Sequence, residues 1–134
     1  MKKIILATIV GIIILAFSGC VNIRTTPTSD AFNVSIISYP ADVKGDTNFT
    51  IQWKVSGGEG NISHTAVHWG LRSGGADIKD YGRFSNVYTG KIPQQFSTDL
   101  ISPTEGTIHF RAHAMVNGTD VYSPEYVIMI ISNI

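Results

Sequence analysis

The chain has 134 residues, with ten basic and ten acidic side chains and no formal net charge at pH 7 when its four histidines are neutral. Without Lys2 and Lys3, which fall in an N-terminal hydrophobic segment, eight basic face ten acidic residues, a charge of −2, which argues against a nucleic-acid partner. A single cysteine, Cys20, excludes an internal disulfide and leaves core packing as the source of stability.

Residues 1–20, MKKIILATIVGIIILAFSGC, place two lysines before an apolar run from Ile4 to Phe17. That run is short for a membrane-spanning helix, which needs roughly 20 apolar residues, and has the length of the apolar core of an export signal. An uncleaved anchor is the alternative. The segment Phe17-Ser18-Gly19-Cys20 resembles the lipobox of prokaryotic lipoproteins, although leucine is usual where Phe17 stands. The resemblance implies cleavage after residue 19, diacylglyceryl attachment at Cys20, and a membrane partner reached through that lipid. It places the mature chain at the cell surface or the outer face of the cytoplasmic membrane. Residues 20–32 then read as a tether, because Val21 to Phe32 has no periodicity and concentrates Thr, Ser, Pro and Asp.

From residue 33 to 134 the sequence has the size and turn spacing of one all-β domain. Residues 47–55, TNFTIQWKV, carry the plainest signal. Phe49, Ile51, Trp53 and Val55 alternate with polar residues, the period of two of a half-buried strand. Further strands are expected at 34–39, 65–71, 95–100, 107–116 and 122–131, with a seventh within 86–89. Asn117-Gly118 predicts a type I′ hairpin turn, since both residues tolerate positive φ. One amphipathic strand requires a facing layer, so the elements assemble into two packed sheets.

Three stretches, Phe49 to Trp53 (FTIQW), Ala66 to Gly70 (AVHWG) and Leu100 to Ala114 (LISPTEGTIHFRAHA), resemble fibronectin type III and immunoglobulin-like domains. The resemblance implies a single antiparallel sandwich of about seven strands behind the N-terminal hydrophobic signal helix. It departs at Ile108, which stands where the family's corner tyrosine is usual. Such sandwiches host binding, chaperone and spacer roles alike.

The four histidines fall in two of the expected strands. Alternation sends His64 and His68 outward from one, and His109 and His113 outward from the other; the type III arrangement makes these strands antiparallel neighbours. Residues four apart on a strand lie roughly 13 Å from each other, so neither strand chelates alone. One register would set His64 opposite His113, His68 opposite His109 and Val67 opposite Phe110, each opposed pair with Cβ atoms about 4.5–5.5 Å apart. Three readings of this face stand: a solvated surface, a divalent-metal site, and a pH-sensitive surface. No Cys, Asp or Glu accompanies the histidines in these strands to complete a tetrahedral set.

His64-Thr-Ala-Val-His68 has the outer histidines of H-E-x-x-H without its glutamate, and there is no G-x-S-x-G, P-loop or G-x-G-x-x-G. No catalytic residue is assigned. Asn33, Asn48, Asn61 and Asn117 each begin an N-x-S/T sequon, acceptor sites for N-glycans in an exported protein; Asn, Ser and Thr are equally the residues that turns use. The expected function is a lipid-anchored surface module that acts by binding a protein or glycan, or by spacing, with no obligatory cofactor. Its alternative is a metal-binding or pH-sensing protein.

Overall fold

The computed structural model describes residues 32–75 and 78–132. The expected signal at 1–19, Cys20, and all of the tether but Phe32 lie outside the described residues. Strand β3 (Asn48–Ser56) follows its alternation closely. Phe49, Ile51, Trp53 and Val55 are buried while Asn48, Thr50 and Gln52 are exposed. It is the centre of a three-stranded antiparallel sheet, flanked by β1 (Asn33–Ser38) and β7 (Gln94–Ile101).

The second sheet is wider. Its path runs β2 (Asp42–Lys44), β10 (Tyr126–Ile131), β8 (Thr107–Val116), β4 (Asn61–Gly70) and β5 (Arg83–Phe84); β6 (Tyr88–Lys91) also pairs with β4, and β9 (Thr119–Tyr122) with β8. The sheets enclose one apolar core. Ile51, Trp53, Val55 and Phe96 come from the narrow sheet, and Ile62, Val67, Ile108, Phe110, Ala112, Ala114 and Ile128 from the wide one. Trp53 stacks on Phe96 and meets Tyr88 edge-on. Its indole N–H donates to Thr65 Oγ1 across the core at 2.9 Å, and Thr65 Oγ1 in turn donates to the His113 carbonyl at 2.8 Å.

The all-β sandwich is as expected, with differences in its strands. The described residues hold ten strands where about seven were expected. β2 and β5, of three and two residues, are too short to show alternation. The single strand expected over 122–131 is divided into β9 and β10 around Ser123-Pro124. There the Ser123 N–H donates to the Ala112 carbonyl at 2.9 Å, and the Ser123 Oγ accepts the Ala112 N–H at 2.9 Å. β4 starts at Asn61, four residues before the expected strand, because residues after the glycine-rich loop read as turn formers. Pairing is antiparallel throughout except between β2 and β10, which run parallel. The hairpin turn joins β8 to β9 as expected. Asn117 and Gly118 have φ of 50° and 83°, and Val116 pairs with Thr119 across them, the geometry that Asn-Gly supplies in a type I′ turn.

Candidate metal centre

β4 and β8 are antiparallel neighbours, but in a register displaced by two residues from the expected one. Ala66 pairs with His113, Val67 with Ala112, His68 with Arg111, Trp69 with Phe110 and Gly70 with His109. The same register sets His64 opposite Met115, and it shifts only beyond His64, where Ile62 pairs with Val116. A displacement of two keeps every side chain on its face, so the hydrophobic pattern specifies parity without choosing between the two registers. The expected oppositions of His64 with His113 and of His68 with His109 are therefore corrected.

The correction concentrates three histidines and releases the fourth. His113 projects from β8 between His64 and His68 of β4, opposite Ala66, whose methyl group leaves room for the imidazole. Ring centroids lie 5.3 Å apart for His64 and His113, 5.5 Å for His68 and His113, and 6.4 Å for His64 and His68. One nitrogen from each ring can be chosen so that all three lie within 4.8 Å of one another. Donors on a tetrahedral ion at 2.0–2.1 Å are roughly 3.3–3.4 Å apart. Side-chain rotation would have to close each gap by at most about 1.5 Å.

Further side chains position the trio. Tyr122 pairs with His113 and stacks on it at 4.9 Å, while Phe84 pairs with His68, their ring centroids 5.9 Å apart. His113 Nε2 lies 2.7 Å from Asp120 Oδ1. A carboxylate only accepts, so Nε2–H donates and the lone pair falls on Nδ1, the second-partner arrangement found behind metal-ligating histidines. His113 is only 5% exposed, yet its Nδ1 has no hydrogen-bond partner, and neither does the buried Nε2 of His68. Unpartnered buried nitrogens are costly; an ion between them would relieve that cost.

Asp120 brings an acid to the histidines from outside their two strands, which themselves contain none. It escaped notice because it lies beyond the turn, on β9, but the turn itself fixes its place. Once Asn117-Gly118 is a two-residue loop, Met115 faces Asp120 and the carboxylate falls on the histidine face. If the centre holds a metal, Asp120→Asn should lower its affinity by about 10- to 100-fold, the usual loss for an outer-shell partner, as measured by competition with a chelator of known affinity.

Electrostatics disfavour protonation of His64 and His68 in the metal-free domain. Burial, then the neighbouring His113 and His64, lower the His68 pKa to about 4 from its ordinary 6.5. Burial and His113 also lower that of His64, against an opposing pull from Asp120. Neutral imidazole is the form that binds metal. A lowered folded pKa means that the folded state binds fewer protons than the unfolded chain. The resulting stability is present above about pH 6.5 and declines as pH falls from there through about 4. His64, His68, His113, Asp120, Arg111 and Tyr122 are the ionisable groups around the trio, with His109 farther along the same face. Denaturant unfolding in chelator from pH 8 to pH 4 should show this decline, and His68→Gln should flatten it.

His109 is set apart. It lies opposite Gly70, and its Nδ1 is 3.5 Å from Glu125 Oε1, an electrostatic contact too long for a well-formed hydrogen bond. Burial alone would raise the Glu125 pKa. Hydrogen bonds from Tyr81, Ser73 and the Gly74 amide, with His109 nearby, outweigh it and hold the carboxyl at about 2. Ser73 Oγ donates at 2.8 Å and Gly74 N–H at 3.1 Å, and Tyr81 O–H also donates to Glu125. Arg111 bonds to Tyr81 Oη, Ser123 O and Gly75 O. This group fastens residues 73–75 and Tyr81 to the sheet and is a structural latch.

All four sequon asparagines are exposed. Asn33, Asn48 and Asn61 each open a strand, and Asn117 lies in the hairpin turn, its Oδ1 accepting the Asn61 N–H at 3.0 Å. Cys20 lies outside the described residues. Among those described, no helix is long and apolar enough to cross a membrane.

No family model matches the sequence, and no curated protein is significantly similar to it. Solved structures share its fold. A chain of the complex between Zinc 2-glycoprotein and Prolactin inducible protein from human seminal plasma is 13% identical with a TM-score of 0.54, covering 78% of this chain and 100% of that one. The sporulation control protein Spo0M of Bacillus subtilis is 12% identical with a TM-score of 0.51, over 75% of this chain and 49% of its own. A conjugative transposon lipoprotein of Bacteroides eggerthii is 14% identical with a TM-score of 0.45, over 75% and 98%. At these identities, the first two likenesses establish a shared β-sandwich fold.

Proposed function

We propose that this chain is a lipid-anchored, non-catalytic β-sandwich module at the cell surface that binds a transition-metal ion through His64, His68 and His113. The observation that carries the reading is the convergence of three imidazole nitrogens within 4.8 Å, together with the carboxylate behind one of them. A solvated histidine face would not need His113 buried with its Nδ1 unpartnered. The absence of an assignable nucleophile or catalytic acid in the sequence supports a binding role. Isothermal titration of the purified chain with Zn²⁺ and with Cu²⁺ tests the site. One ion per chain is expected for the wild type and none for a His64→Ala, His68→Ala, His113→Ala variant.

The membrane placement rests on Phe17-Ser18-Gly19-Cys20. Mass spectrometry of the native N-terminus should find a chain beginning at a diacylglyceryl-modified Cys20. An intact Met1 would replace the lipid anchor with a signal anchor. Association with a protein or glycan partner is the second reading, favoured by Phe84, a large aromatic 65% exposed beside His68. Absence of metal uptake would leave partner binding as the surviving account.

A further inference from the structure

We infer that the Met115 thioether is a fourth donor to the histidine centre, and that the centre selects Cu(I) over Zn(II). This inference rests on the histidine site proposed above and concerns its chemistry. Met115 is the residue directly opposite His64 on one side and directly opposite Asp120 on the other. Alternation along β8 puts it on the same face as His113, two residues away, while Ala114 and Val116 point into the core. Opposed residues have Cβ atoms about 4.5–5.5 Å apart. An unbranched side chain with three rotatable bonds can swing its sulfur over that distance. Met115 is half-buried, so the centre would be closed by a thioether on the side that His113 and His68 leave open.

Two independent considerations set the metal preference. The first is softness. Imidazole accommodates Zn(II), Cu, Fe and Ni alike, whereas a thioether selects Cu(I). The second is charge. Three neutral imidazoles and a thioether contribute none, and the Asp120 carboxylate is engaged by His113. Arg111, opposite His68, is held in place by its bonds to Tyr81 and Ser123 and adds a fixed positive charge. Its charge is met by Glu125, which shares Tyr81 with it, so Asp120 is the one carboxylate left at the centre and balances no more than a monovalent ion at this half-buried site. Desolvation cost rises with the square of ionic charge, so a monovalent ion is tolerated there at far lower cost than a divalent one.

The test uses the full chain in detergent micelles in a Cys20→Ser background, since a free thiol is itself a Cu(I) ligand. Anaerobic competition with bicinchoninate measures Cu(I) affinity, a zinc chelator measures Zn(II) affinity, and X-ray absorption reports the Cu(I) ligands. Met115→Leu conserves volume and removes only the sulfur. The wild type should show a sulfur scatterer that Met115→Leu lacks. The substitution should weaken Cu(I) by about 10- to 100-fold, at least the loss seen on removing an outer-shell partner, with Zn(II) affinity unchanged. A nitrogen-only Cu(I) shell in the wild type, or equal weakening of both metals, would overturn the role of Met115 and leave the histidine site standing. Failure to bind either metal would overturn the histidine site itself.

Discussion

Replacing Trp53 with alanine should lower the unfolding free energy by about 3–5 kcal/mol, the usual cost of emptying a large aromatic from a core. Trp53 is fully buried at the centre of β3. Its ring stacks on Phe96 at 5.6 Å and meets Tyr88 at 6.0 Å, and its N–H is spent on Thr65. The residues around it lie on paired strands of two sheets, which limits how far they can collapse into the void. Trp53→Phe separates the contributions. It retains most of the volume and loses the hydrogen bond, for about 1 kcal/mol from the bond itself. Denaturant unfolding of both variants measures this, and a Trp53→Ala protein within a few tenths of wild type would contradict the assignment of β3 as the core strand. Because Thr65 links Trp53 to the His113 carbonyl, Trp53→Ala should also loosen the metal centre.

His113→Ala should abolish metal uptake, the largest functional effect expected of any single substitution. Although His64 and His68 lie four residues apart on one strand, their rings are 6.4 Å apart and their nitrogens lie within 4.8 Å. Alone they supply only two donors, and His113 adds the third, the one backed by Asp120. Loss of His113 also strands Asp120. The reduction should exceed the 10- to 100-fold expected when only an outer-shell partner is lost. His109→Ala, on the same strand and the same face but paired with Gly70 and directed at Glu125, should leave metal affinity unchanged. Equal losses in the two variants would show that the histidine face acts diffusely, without a defined centre.

The parts of this molecule that follow a local rule were legible in the sequence. The alternation around Trp53 gave a strand and its buried face, and Asn117-Gly118 gave the turn, because both signals act within a few residues. Register was not legible. His113 lies beside His64 and His68, and not directly opposite His64, because the pairing of β4 with β8 is displaced by two residues, a shift that leaves all side chains on their faces. What chooses between such registers is long-range packing, as where Trp69 and Phe110 stand opposed and both enter the core. Asp120 was hidden for a related reason. Its place on the histidine face appears only when the turn is used to count back across β9. The latch around Glu125 unites residues some fifty positions apart, and no local pattern announces it.

The most direct test of the metal centre is nitrogen NMR of the four imidazoles during titration of the uniformly ¹⁵N-labelled chain with Zn²⁺. At one equivalent, the ring nitrogens of His64, His68 and His113 should move to metal-bound positions. In His113 the metallated atom should be Nδ1, with Nε2 remaining protonated against Asp120, and His109 should not move. Unchanged imidazole signals, or equal movement of all four rings, would contradict the centre described here.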